Sequence, residues 1–346
     1  MSQGVLIKRG VALVVTALCL YLVAPSLAEV FSSWPDLANV EPVWLVVMAA
    51  LEAASLATIW ILQWICLRLP AFGPVVRSQL AGNAFAKVAP GGGAAGAALQ
   101  YRMLTDAALQ PSAVGTGLTA ANLLTFATLL ALPVLTLPAF VAGLPVERGL
   151  VNAALLGAAL FCVVAAIGGV LLASDRALIA IGRVFQRVRN RVLSRKPSLE
   201  QFPELLVRER NVMLRVIGAR GREALISAVL RWLLDYGALL LALAAVGAEP
   251  KPSLVLLAYT ASQLLAMIPL TPGGLGFVEA GLTGLLAMAG VNAGDAAVAT
   301  LAYRLVSYWL PLPAGAIAAW IHKLNEGGSS RANDRVGHTP ASQHPR

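Results

Sequence analysis

The sequence predicts an all-α, polytopic membrane protein with about six full spans and two broken re-entrant hairpins, arranged as an inverted-topology repeat. Three observations predict it. The chain is too apolar for water, its positive charge is gathered between apolar stretches, and one Pro-Gly tract occurs twice. Of 346 residues, 58% are hydrophobic and 12% charged, with a mean hydropathy of +0.75. A soluble domain has about 45–50% apolar and about 25% charged residues. So little polar surface cannot cover a water-facing particle, and lipid must cover the rest.

A span needs about 20 mostly apolar residues. Six segments qualify, at 11–31, 43–66, 112–138, 150–173, 224–247 and 294–321. Two more apolar stretches, 72–109 and 254–290, are interrupted by Pro-Gly clusters and read as half-helix pairs, re-entrant or spanning. Lys8 and Arg9 precede the first segment, and Ser26-Leu27-Ala28 resembles a cleavage site, so 11–31 is either a retained span or a signal peptide.

Net charge is +9 and the sequence pI about 9.9. The charge sits in loops and tails, which excludes nucleic acid as the partner and matches the positive-inside pattern. The 174–223 loop holds twelve Arg and Lys residues and is assigned to the cytoplasm, whereas the 32–42 loop has Asp36 and Glu41 but no Arg or Lys and lies outside. Six spans then put both termini inside the bacterial plasma membrane. Within the basic loop, Leu178, Ile181, Phe185, Val188 and Val192 fall at helical spacing opposite arginines. This is a helix for the headgroup layer or a water-facing linker. Domain organisation follows: a transmembrane domain over 1–323, and a disordered cytoplasmic tail over 324–346, which is polar and Gly/Ser/Asn-rich.

Pro90-Gly91-Gly92-Gly93, with Gly96 after it, resembles Pro272-Gly273-Gly274-Leu275-Gly276 at an offset of 182 residues. The same offset carries 43–66 onto 225–248 and 112–138 onto 294–320. Repeat unit one is therefore about 43–138 and unit two about 224–320. One extra span between them inverts the second, the arrangement of many secondary transporters. Glycine and proline in hydrocarbon leave backbone groups unpaired, which is tolerated where they line a polar cavity or pack tightly on protein. A half-helix beginning at such a tract also aims N–H groups at an anion.

Ionisable residues at membrane depth are functional candidates. Glu52, Lys87, Arg102, Asp106, Arg231, Asp235, Glu279 and Arg304 qualify. Arg231 and Asp235 can pair along one helix, for structure or for function. Lys87 and Asp106 sit where snorkelling to the interface is open to them. Glu52 is mid-span without an evident partner. Glu279 follows the second tract and Arg304 lies at mid-depth of the last span. Arg102 stands on the helix leaving the first tract. Arginine suits bidentate phosphate binding, and Arg304 either fastens Glu279, binds phosphate, or does both.

Cys19, Cys66 and Cys162 have neither disulfide nor zinc spacing, and His322, His338 and His344 lie at or past the last span. No Ser/His/Asp set, metal-ligand cluster or complete nucleotide loop is present, so no enzyme activity and no cofactor are expected.

The segments "NAFAKVAPGGGAAGAALQYRML" and "IPLTPGGLGFVEAGLTGLLAMAGV", the latter followed by "ATLAYRLVSYWLPLPAG", resemble the transmembrane region of lysylphosphatidylglycerol synthases, over roughly 10–322. In bifunctional members this region resembles a flippase for aminoacylated phosphatidylglycerol, beside a soluble transferase domain that 346 residues leave no room for. Synthase activity is thus not implied. The resemblance carries over Pro272, Gly273, Gly274, Gly276, Glu279 and Arg304, and in the first half Pro90, Gly91, Gly92, Gly96 and Arg102. The reading is a lipid flippase or transporter acting on an anionic or phosphate-linked membrane lipid by alternating access. The alternative is a non-transporting subunit that scaffolds or regulates an envelope glycosyltransferase or other lipid-processing enzyme, its partner an envelope-biosynthesis protein. An intramembrane enzyme ranks behind both because a catalytic set is absent.

Overall fold

The computed structural model describes residues 40–89, 92–107, 109–136, 159, 162–163, 166–171, 173–192, 201–268 and 271–336. Among them all regular structure is helical. In chain order the helices are α1 (Pro42–Leu67), α2 (Gly73–Val88), α3 (Gly92–Asp106), α4 (Pro111–Ala131, continued by a 3-10 turn Leu132–Thr136), α5 (Asp175–Val192), α6 (Phe202–Ala245), α7 (Pro252–Leu265), α8 (Phe277–Met288), α9 (Ala293–Arg304) and α10 (Pro311–Val336). Proline opens the first turn of α1, α2, α4, α6 and α7, where its missing N–H costs nothing and its fixed φ favours the helix. Asn292 caps α9, accepting from the Gly294 N–H at 2.9 Å.

Three helical segments are long and apolar enough to cross a membrane: Pro42–Leu67, Pro111–Thr136 and Arg220–Ala245, each of 26 residues. At about 1.5 Å per residue each reaches about 39 Å, beyond the roughly 30 Å of hydrocarbon. Their outer faces are as greasy as their inner ones. Val46, Ile61, Leu123 and Ile226 are all exposed, a surface that only lipid can cover.

The two interrupted stretches are broken where the Pro-Gly clusters predict. α2 and α3 pack against each other as one pair, α7 and α8 as another. Their 16, 15, 14 and 12 residues give each about 18–24 Å of length, too short to cross alone. Close approach in the first pair depends on glycine. A Cβ on Gly82 would lie 2.8 Å from the Gly96 carbonyl oxygen, and one on Gly96 would strike the Gly82 carbonyl. The main core gathers α1, the end of α4, the second half of α6, α7, α8 and α9 around Leu239, Leu243, Tyr259, Leu282 and Leu286.

Three segments differ in detail from the sequence reading. The span expected at 294–321 is not one regular helix: α9 ends at Arg304, Leu305–Trp309 forms a π turn, and α10 begins at Pro311. Pro311 and Pro313 lack the N–H groups that would continue the ladder, and the Leu310 N–H reaches back five residues to the Leu305 carbonyl at 3.1 Å. Secondly, the basic 174–223 segment is mostly helix. α5 lies on the first half of α6, with Phe185 and Phe202 rings 5.2 Å apart, Gly182 tight against Pro203 and Arg210 paired with Asp175. α6 then bends at Arg220 (φ −133°, ψ 31°) between Gly218 and Gly221, residues that tolerate a kink, and Arg220 stacks over Trp64 at 5.6 Å. Thirdly, residues 324–336 of the expected disordered tail continue α10 to Val336 by extending its backbone ladder. The 11–31 segment lies outside the described residues, as does most of 150–173, so neither tests the expected six spans.

Candidate functional site

The second Pro-Gly tract is a short turn, Pro272–Gly274, leading into α8. Its path requires left-handed backbone at Gly273 (φ +62°), Gly274 (+73°) and Gly276 (+77°), which side chains other than glycine rarely adopt. Thr271 Oγ1 braces the turn by donating to the Leu275 carbonyl at 2.9 Å. In the first tract, Gly92 also has a positive φ, +50°; Pro90 and Gly91 lie outside the described residues.

Around these turns the structure assembles one polar cluster. Arg304, at the last position of α9, donates from Nε to Glu279 Oε1 at 2.7 Å and from Nη2 to the Gly273 carbonyl at 3.3 Å. The expected Arg304–Glu279 pair is therefore present, and both side chains are buried. The guanidinium also sits 4.6 Å over the Tyr308 ring. Tyr308 OH donates to the Lys87 carbonyl at 2.8 Å. Lys87, at the end of α2, donates from Nζ to the carbonyls of Ser307 and Tyr308 at 2.8 and 3.0 Å. The end of α2 thus meets the second Pro-Gly turn, and Tyr308 lies against both Lys87 and Arg304.

Lys87 does not snorkel outward. The reason is in the last span. Pro311, four residues after Ser307, has no N–H to give to the Ser307 carbonyl, and a buried carbonyl must find a donor. The ammonium of Lys87 supplies it.

A second cluster adjoins the first. Asp235 on α6 accepts from Tyr259 OH at 2.7 Å, from Gln263 Nε2 at 3.0 Å and from Tyr303 OH at 2.9 Å, with Arg231 at 3.5 Å. Arg231 also contacts Ser55 on α1, whose hydroxyl donates to the Arg231 carbonyl at 2.8 Å. Glu52, one turn before Ser55, is buried with Oε2 unpartnered and interacts electrostatically with Asp235, Arg231 and Lys87. Ser55 thus brings Arg231 and Asp235 of α6 to the same part of α1 as Glu52.

Arg102 is the candidate that the fold separates from the rest. It is 79% exposed and pairs with Asp106 one turn on, at 3.6 Å. Ten residues beyond Gly92, about 15 Å along the helix, it has left the tip. Arg102→Ala is expected to lower stability only slightly, because an exposed i,i+4 pair is worth about 0.3–0.5 kcal/mol; thermal unfolding in detergent checks this.

Residues that sequence reasoning passed over are Tyr308, Tyr259, Gln263 and Tyr303. Their signal was available: Tyr259/Gln263, Tyr303/Ser307 and Arg304/Tyr308 are polar pairs four apart inside apolar helices, each on one face. Chemically the first cluster suits an anion. Arg304 Nη1 has no protein acceptor among the described residues, and Lys87 is held by neutral carbonyls. No group of three His, Cys, Asp or Glu residues fit to hold a metal occurs among the described residues.

Comparison with known proteins agrees with this picture. The profile described as the lysylphosphatidylglycerol synthase TM region matches residues 10–315. A UPF0104 membrane protein of Methanothermobacter thermautotrophicus is 38% identical over 88 residues, covering 25% of this chain and 25% of that protein. A further match to a protein of that description and organism is 28% identical over 125 residues, 36% of this chain and 35% of the relative. One from Methanocaldococcus jannaschii is 42% identical over 65 residues, 19% of this chain and 28% of the relative. The chain thus spans well under half the length of these relatives. No solved structure matches it. With helices of membrane-spanning length and a profile match over most of its residues, the chain belongs to the family of the lysylphosphatidylglycerol synthase transmembrane region.

Proposed function

We propose that this multi-pass membrane protein is a lipid flippase that carries an anionic, phosphate-bearing lipid across the plasma membrane by alternating access. The observation that carries the reading is the meeting of the end of the first hairpin's α2 with the second Pro-Gly turn around Lys87, Tyr308 and Arg304. Lys87 from the first hairpin and Arg304 from α9, whose Nη1 has no acceptor among the described residues, suit a phosphodiester. In support, α1, the α2–α3 pair and α4 are followed later in the chain by α6, the α7–α8 pair and the interrupted α9–α10. Read as inverted repeats with re-entrant hairpins, the two units would open one central site to either leaflet by rocking. The Glu279–Arg304 contact then serves as the resting partner that a lipid phosphate displaces.

The test is translocation of fluorescent phosphatidylglycerol by the purified chain in vesicles. Wild-type protein is expected to expose inner-leaflet label to an external quencher well faster than protein-free vesicles, and faster than it exposes a zwitterionic analogue. Equal rates in all three samples would remove the transport reading and favour a scaffolding role.

Sidedness has its own check. The reading places α5 on the cytoplasmic surface and both termini inside. A cysteine at the exposed Arg187 is expected to react with an impermeant maleimide only after cells are opened. Labelling of intact cells would reverse the assigned topology.

A further inference from the structure

We infer that Glu52 is a proton-binding site that couples lipid movement to a proton gradient; this deepens the flippase reading and rests on it. The buried clusters contain three cations, Lys87, Arg231 and Arg304, and three carboxylates, Glu52, Asp235 and Glu279. Four of the six are matched in ion pairs, Arg231 with Asp235 and Arg304 with Glu279. Among the described residues, Glu52 and Lys87 make no ion pair within 4 Å. Lys87 is satisfied by carbonyls. Glu52 is 3% exposed and its Oε2 has no hydrogen-bond partner among the described residues.

Its neighbours assign it the proton. On its own helix α1 stands Ser55, whose hydroxyl is engaged with Arg231. From α6 come Arg231 and Asp235, and from α2 comes Lys87. Behind Asp235 stand Tyr259 and Gln263 of α7 and Tyr303 of α9. Arg304, Glu279 and Tyr308 close the far side around Lys87. Asp235 collects the donors from Tyr259, Gln263, Tyr303 and Arg231, all of which suit a carboxylate. Glu52 stands one turn before Ser55, which touches Arg231, and that arginine is already paired with Asp235, so a second buried carboxyl there is held most cheaply as the neutral acid. The crowded acceptor Asp235 has no room for the proton. The vacant Oε2 of Glu52 has. Glu279 also has an unpartnered Oε2, but its other oxygen takes the short Arg304 contact, which fixes it as the anion of a pair.

The step is a simple transfer. A hydronium gives its proton to Glu52 Oε2 and leaves as water, and the carboxylate becomes a neutral acid. The cluster gains one positive charge, centred on Lys87 and Arg231. One anionic headgroup restores neutrality. Proton and lipid therefore cross together, and lipid collects in the leaflet on the alkaline side.

The experiment uses the full chain in phosphatidylglycerol vesicles, with the membrane potential clamped and a one-unit pH gradient imposed in either direction. Such a gradient biases the exchange by at most about tenfold. Wild-type flux is expected to be several-fold faster towards the alkaline side, Glu52→Asp to keep a bias, and Glu52→Gln to show none. Wild-type translocation indifferent to the gradient overturns the coupling and leaves the flippase reading standing. No translocation under any condition overturns both. Infrared spectroscopy gives a readout free of transport: the wild-type protein should show a protonated-carboxyl stretch that titrates with pH and vanishes in Glu52→Gln. An unchanged band in the variant would place the proton elsewhere and end the proposal.

Discussion

Arg304→Ala is expected to abolish lipid translocation and to destabilise the protein together. The substitution leaves Glu279 buried and charged without its 2.7 Å partner, and breaking a buried pair by removing one member costs about 3–5 kcal/mol. It also removes the donor to the Gly273 carbonyl and the cation over Tyr308. The two losses separate in a double variant. Arg304→Ala with Glu279→Ala removes both charges, so much of the stability should return while translocation does not. Arg304→Lys should be stable yet slow, since an ammonium keeps the charge and loses the planar fork that grips two phosphate oxygens. Exchanging the two residues should likewise give a folded, inactive protein. Thermal unfolding in detergent beside vesicle translocation is the measurement. Normal translocation by a stable Arg304→Ala protein would move the site away from the hairpin tips.

Gly273→Val is expected to be the most damaging change at a tract glycine, preventing accumulation of folded protein. Two penalties coincide there. The positive φ disfavours any residue with a Cβ by roughly 1–2 kcal/mol. The Cβ itself would lie 2.5 Å from the Tyr308 ring and 2.7 Å from the Lys87 carbonyl, so the end of α2 and the second turn could not touch. A Cβ on Gly274 would lie 2.5 Å from Val278 Cγ2, a contact that a change of the Val278 rotamer relieves in part, and substitution there should rank second. Gly276 has nothing within 4 Å, and Gly92 only the Ala86 carbonyl at 4.0 Å. Alanine at either should cost only the backbone penalty. The order Gly273, Gly274, then Gly276 and Gly92, read as folded yield and unfolding temperature, tests whether the end of α2 and the second turn are in contact. Equal tolerance at all four would mean that the tracts are loose turns.

Much of this was legible in one dimension. Apolar runs with few charges can fold only as lipid-covered helices, so the class and the bounds of α1 and α4 followed from composition and length. Proline and glycine act locally on the backbone, so the breaks near 90 and 272 followed as well. Glu279 and Arg304 were readable as a pair because charges in hydrocarbon need partners and few were on offer. Other features depended on contacts between distant segments. Whether Lys87 turns outward or inward is decided by a carbonyl more than 200 residues away that Pro311 leaves without a donor. Arg102 and Arg304 look alike as arginines near tracts, yet helix rise carries one away from its tip and leaves the other against Gly273. Glu52 had no partner in sequence because its neighbours come from α2 and α6. Composition and local backbone chemistry determine that this chain enters a membrane and where its helices break. Which charges meet is a matter of packing, because side chains pair by distance in space, and only the assembled bundle sets that distance.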